Sequence, residues 1–80
     1  MNAAKHEQGI VSEVWEPEGY GYLRTRAGEH VFFDRRSVRG NEFHRLFVGT
    51  EVGFQRRLGE RGWEADDVFV VGQDARLLPL

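Results

Sequence analysis

The chain has 80 residues, enough for one domain with a thin core and a small stability margin. It has no cysteine, which excludes disulfide staples and thiolate metal sites, and no apolar run near the roughly 20 residues that cross a bilayer. The formal net charge is −2, but the charge is segregated: residues 24–61 hold nine Arg against five acids, while the two flanking segments are each net negative.

Residues 1–8 have no apolar stretch and read as a flexible polar lead-in, without the apolar core of a secretory signal. Cytoplasm is the expected location. Glycines at short intervals separate runs rich in Val, Phe, Tyr and Trp, a pattern of short strands rather than helices. The first strand is predicted over Gly9–Trp15, ended by a turn at Glu16-Pro17-Glu18-Gly19. The second covers Tyr20–Arg26 and the third His30–Asp34, joined through Ala27-Gly28-Glu29. Arg35–Val38 fits one helical turn, and Arg39–Val48 is a long loop holding Phe43, Leu46 and Phe47. The fourth strand covers Glu51–Leu58 and the fifth Trp63–Gly72, with a turn at Gly59-Glu60-Arg61-Gly62. Residues 73–80 form a short tail, so the domain proper is 9–72.

Side chains two apart on a strand share a face. Tyr20 and Tyr22 therefore stand on one face of the second strand, with Gly21 and Leu23 on the other. On the third strand His30, Phe32 and Asp34 face one way, and Val31 and Phe33 point inward. Pairing of the two strands puts Phe32 beside the tyrosines. Rings on an open sheet edged by arginines form a platform on which single-stranded bases stack, at roughly 1–3 kcal/mol per base.

These residues resemble a known family. Gly9-Ile10-Val11 with Glu18-Gly19-Tyr20-Gly21-Tyr22-Leu23 is similar to the opening of a cold-shock domain and its first ribonucleoprotein motif. Val31-Phe32-Phe33-Asp34-Arg35-Arg36-Ser37-Val38 is similar to the second motif. Gly49-Thr50-Glu51-Val52 and Gly62-Trp63-Glu64-Ala65-Asp66-Asp67-Val68 extend the likeness from about Gly9 to Gly72. The resemblance implies an all-β fold, a five-stranded antiparallel oligonucleotide-binding (OB-fold) Greek-key barrel. It also implies single-stranded RNA or DNA as partner, with RNA preferred, low sequence specificity, and strands kept unpaired. A further likeness, to cold-shock-type domains fused behind ribosome hibernation factors, adds the ribosome as an expected partner.

Carried over position by position, the resemblance makes Tyr20, Tyr22, Phe32 and Phe43 the stacking residues. The central arginine excess makes Arg24, Arg35 and Arg36 the expected phosphate contacts, with Arg45 a further candidate. The departures are specific. Glu13 stands where the family usually has Trp, Glu18 where it has a basic residue, Asp34 and Arg35 where it has His and Phe, and Trp63 where it has Pro. Acids near a phosphate backbone lower affinity, so binding weaker and more salt-sensitive than the family norm is expected. Trp63 and Trp15 are candidates to restore stacking area.

No nucleophile elbow, triad or metal-ligand spacing involves Ser12, Ser37, His6, His30 or His44, so neither an enzyme nor a cofactor is expected. A second reading is a degenerate barrel that contacts a protein or ribosome, motivated by Glu13, Asp34 and overall acidity. The expected state is a monomer with weak self-association at most and no membrane partner.

Overall fold

A computed structural model describes residues 6–72. Five strands, β1 (Glu7–Trp15), β2 (Tyr20–Thr25), β3 (His30–Asp34), β4 (Glu51–Gly59) and β5 (Gly62–Val70), close into a barrel in the order β1-β2-β3-β5-β4. The all-β, five-stranded barrel is thus the fold that the sequence implied. Four of its five seams are antiparallel. The closing seam, β3 against β5, is parallel through Phe32 and Glu64, and a parallel bridge from Val38 to Val68 extends it. It is parallel because the chain crosses the barrel end after β3, pairs β4 with β1, and returns in β5 along the direction of β3.

The predicted strand ends shift by a few residues. β1 begins at Glu7, so Glu7 and Gln8 belong to the sheet and pair with Phe54 and Gly53 rather than to a lead-in. β5 ends at Val70. The remaining lead-in, residues 1–5, and the tail, 73–80, lie outside the described residues. The predicted helical turn is a 3₁₀ turn over Arg35–Ser37, and the long loop carries two more, Arg39–Asn41 and Phe43–Arg45.

Strand alternation fixes what faces the core. Along β2, Tyr20, Tyr22 and Arg24 point out while Gly21, Leu23 and Thr25 are buried. Val11, Leu23, Val31, Phe33, Val52, Phe54 and Val68 are all less than 2% exposed and fill the barrel. Phe43 and Leu46 plug one end from the long loop, each 2% exposed, with Phe43 tilted against Phe33 at 5.9 Å between ring centroids.

Gly21, between the two tyrosines, is a close-approach site. A Cβ there would sit 2.3 Å from the Glu13 carbonyl oxygen and 2.9 Å from the Phe33 ring. Only glycine lets β1 and the Phe33 ring pack this near, which is why Tyr-Gly-Tyr can raise two rings on one face without lifting the strand off its neighbour.

Candidate nucleic-acid interface

β1, β2 and β3 align their outward side chains. Trp15 pairs with Tyr20, Glu13 with Tyr22 and Ile10 with Arg24. Tyr20 pairs with Asp34, Tyr22 with Phe32 and Arg24 with His30. The rings follow this register. Trp15 stacks on Tyr20 at 5.2 Å and 20°, and Tyr20 stacks on Phe32 at 5.9 Å and 24°. Tyr22 meets Phe32 edge-on at 5.7 Å and 74°. Such offset and T-shaped contacts suit the ring quadrupoles and hold the rings at fixed angles.

Of the expected stacking residues, Tyr20, Tyr22 and Phe32 come together as predicted. Phe32 is the least accessible at 9% exposure, because the Arg61 guanidinium lies 4.5 Å above its ring. Glu64, paired with Phe32 across the parallel seam, holds Arg61 at 3.8 Å and Arg57 at 3.2 Å. Trp15, 39% exposed, extends the row of rings past Tyr20.

Two of the expected residues lie apart from the ring row. Phe43 does not join the face: it is a core residue under Arg35, whose guanidinium lies 5.0 Å from its ring. The 3₁₀ turn at Phe43–Arg45 turns its ring into the barrel, and the exposed aromatic of this loop is Phe47 instead, at 66%. Trp63 is also elsewhere. Strand alternation makes Glu64, not Trp63, the β5 side chain beside Phe32, and the Trp63 ring packs 4.8 Å from the Arg56 guanidinium.

The acids read as hostile to phosphate divide in two. Glu13 and Glu18 are exposed. Asp34 is committed to a cap: its Oδ1 accepts from the Arg36 and Ser37 backbone N–H at 3.0 and 3.2 Å, while Ser37 Oγ receives the Asp34 N–H at 3.1 Å. This reciprocal capping box starts the 3₁₀ turn and absorbs much of the carboxylate's hydrogen-bonding capacity.

The cations divide as well. Arg36 pairs with Asp34, Arg39 with Asp67, Arg45 with Glu42, Arg56 with Glu7 and Glu29, Arg57 with Glu64 and Asp66, and Arg61 with Glu64. Arg35 donates to the Glu16 carbonyl at 2.8 Å and packs over Gly19, bracing the β1–β2 turn. Arg24 and Arg26 are exposed and pair with no acid among the described residues. Of the three expected phosphate contacts, then, Arg24 is open, Arg36 is 91% exposed beside Asp34, and Arg35 is a brace. Among the described residues no group of three or more His, Asp or Glu could hold a metal, and no helix is long and apolar enough to cross a membrane.

Comparison with known proteins agrees with this architecture. The family model of the "'Cold-shock' DNA-binding domain" matches residues 7–71. The major cold shock protein CspA of Pseudomonas aeruginosa is 31% identical over 68 residues, covering 85% of this chain and 99% of that protein. Cold shock protein CspB of Bacillus caldolyticus is 32% identical over 62 residues, covering 78% of this chain and 94% of that protein. Among solved structures, "drosophila Unr CSD456" superposes with a TM-score of 0.69 at 24% identity. That match covers 91% of this chain and 29% of the Drosophila one, and it bears on fold alone.

Proposed function

The chain belongs to the cold-shock DNA-binding domain family, and from that premise we propose that it holds single strands on the ring face of β1–β3, with Trp15, Tyr20 and Tyr22 receiving bases. The family binds single-stranded nucleic acid, and so does this chain.

One observation carries it: four rings, Trp15, Tyr20, Phe32 and Tyr22, in continuous contact on adjacent strands, held on a sheet rather than on a loop. Every base has a π-face, so such a row accepts successive bases with little sequence preference. A base stacked on protein is withdrawn from pairing in a hairpin, which keeps the strand open. Phe32 joins Tyr20 to Tyr22 in the row and takes a base only when Arg61 swings off it. Arg24 supplies a phosphate contact on one side, and Arg36 supplies a weaker one on the other. With Phe43 buried and Glu13 exposed, the face has fewer free rings and more acid than the family pattern, so binding is modest and salt-sensitive.

The test is a fluorescence titration of a labelled pyrimidine-rich strand, as RNA and as DNA, at low salt. Tyr22→Ala is expected to weaken binding by about 5- to 150-fold, the equivalent of roughly 1–3 kcal/mol for one stacked base. Tighter binding of the ribose strand would support RNA as the preferred partner. Absence of binding to either strand, or unchanged affinity in Tyr22→Ala, would sink the proposal.

A further inference from the structure

The outward row of β1 and β2 does not end at Tyr22. One step further along the sheet, about 7 Å at the usual strand rise, Ile10 pairs with Arg24. The β1–β2 register shifts between Val11 and Glu13, so the bulge at Ser12 separates the ring row from this last pair. Beyond it opens a cleft of about 410 Å³ lined by Ile10, Arg24, Arg26, Val48, Gly49 and Glu51 among others.

The cleft has a fixed wall. The Phe47–Thr50 turn is fastened to β1: Gly49 N–H donates to the Val11 carbonyl at 2.8 Å, and Val11 N–H donates to the Thr50 carbonyl at 2.9 Å. The turn closes on itself through Phe47 N–H to Thr50 Oγ1 at 3.1 Å. Val48 is thereby held at the rim, 68% exposed, facing a cleft that also exposes 48% of Ile10.

Its charge is unusual for this molecule. Arg24 points outward from β2, and Arg26, the first residue of the turn that follows β2, lines the same cleft. Both are exposed and without an acidic partner among the described residues, whereas six of the remaining arginines between 24 and 61 are held by carboxylates. The one acid lining the cleft is Glu51, contributed by β4 across from the β2 arginines.

We infer that this cleft is an additional nucleotide subsite of the same single strand, past Tyr22, binding phosphate on Arg24 and Arg26 and sandwiching sugar and base between Ile10 and Val48. The inference rests on the ring-face reading above and extends it. Apolar walls accept a base, guanidinium groups accept phosphate, and the Glu51 carboxylate accepts from an exocyclic amino group such as cytosine N4 or adenine N6. Two features favour nucleic acid over a second copy of the chain: the cleft lies on the same sheet one step past the ring row, and its two arginines outnumber its one acid. Arg26, Ile10, Val48 and Glu51 become binding residues of the longer strand.

Strand length separates the inference from the reading beneath it. A four-nucleotide cytidine RNA reports the rings, and an eight-nucleotide one reaches the cleft. The eight-mer is expected to bind about tenfold more tightly than the four-mer, beyond the statistical factor for overlapping registers. Amide shifts at Arg26, Val48 and Gly49 are expected to move with the eight-mer only. Arg26→Gln and Val48→Ser, both at exposed positions, are expected to remove about three- to tenfold of the eight-mer's affinity and leave the four-mer unchanged. Arg26→Gln should also lower the salt slope of the eight-mer by about 0.7, one phosphate of a single strand. Four-mer binding lost in Tyr22→Ala, together with an eight-mer that gains nothing, would overturn the inference and leave the ring face standing. Four-mer binding indifferent to Tyr22→Ala would overturn the ring face itself. A concentration-dependent dimer that Val48→Ser abolishes, with eight-mer affinity unchanged, would assign the cleft to a second copy instead.

Discussion

The β1–β2 side of the barrel and the β4–β5 side use the same residue types to opposite ends. On β4 and β5 the aromatic and cationic groups satisfy one another. Arg56 donates to Glu7 at 2.7 Å twice and to Glu29 at 2.8 and 3.2 Å, with its guanidinium over Trp63. Arg39 makes two 2.9 Å bonds to Asp67 and lies 4.2 Å over Phe69. On β1 and β2 the rings contact one another and Phe32, and Arg24 and Arg26 have no acid among the described residues, so both remain open to a ligand. The difference teaches that the arginine excess of residues 24–61 is a poor measure of binding charge. Most of it closes the barrel, and the fraction left open sits beside the rings.

The largest effect that sharpens this contrast concerns Phe43, an aromatic that belongs to the core and not to the face. Phe43→Ala is expected to cost about 3–5 kcal/mol, the usual loss for truncating a buried phenylalanine. For a domain this size that lowers Tm by well over 10 °C. Phe43→Leu, which keeps most of the volume, should remain folded and bind an oligonucleotide as tightly as the unaltered chain. Tyr22→Ala should show the reverse, with Tm nearly unchanged and affinity lost. A Phe43→Leu protein that keeps its Tm and loses affinity would return Phe43 to the binding surface.

Those two aromatics also show what the sequence made legible. Tyr22 lies on a strand, where the two-residue period assigns its face without knowledge of any other element, and the same holds for Leu23, Val31 and Phe33. Phe43 lies in a loop of short 3₁₀ turns, where no period exists to say which way a ring points. The Asp34-to-Ser37 capping box is a local pattern of the sequence, hidden when Asp34 counts only as a charge. The placement of Trp63 depended on the parallel register of β3 with β5, a contact between distant segments. The fate of the arginines depended on partners 49 positions away for Arg56 with Glu7, and 28 for Arg39 with Asp67. Counting residues along the chain cannot reveal which of them will be consumed.

Next in size is the ionic knot at Arg56, whose side chain is 19% exposed against carboxylates that are 40% exposed. Its hydrogen bonds to Glu7 first, then to Glu29, raise its pKa above the normal guanidinium value, and the bonds it donates lower that of Glu29. Arg56→Met keeps an apolar contact with Trp63 and removes both pairs. The expected cost is about 1–2 kcal/mol, limited because the two carboxylates regain water. Oligonucleotide affinity should not change. Arg24→Gln is its counterpart, expected to leave Tm alone and weaken binding several-fold. Thermal melts and titrations of both variants decide the matter. Loss of affinity in Arg56→Met would mean that the β4–β5 side takes part in binding after all.

The smallest effect is a pH dependence, and it comes from the same committed side. Asp67 sits at φ +53°, where the β4–β5 register shifts, and takes the two Arg39 bonds and one from His6 at 3.0 Å. Arg39 chiefly, with His6 second, holds its carboxyl well below the ordinary aspartate range. A carboxylate whose pKa falls on folding stabilises the fold fully above its unfolded value, about 3.9, and the contribution disappears as pH drops below that toward the folded value. Asp67→Asn should therefore lower Tm at pH 7 by roughly 2–5 °C, a small figure because the side chain is 38% exposed and screened by water. The gap from the unaltered chain should hold down to about pH 5 and narrow steadily as the solution approaches pH 2. Because Asp67 contributes nothing to the ring face, oligonucleotide affinity at pH 7 should be the same in both proteins. A Tm gap that is constant across the acid range would mean that the pair acts through packing of Arg39 on Phe69, and not through the charge on Asp67.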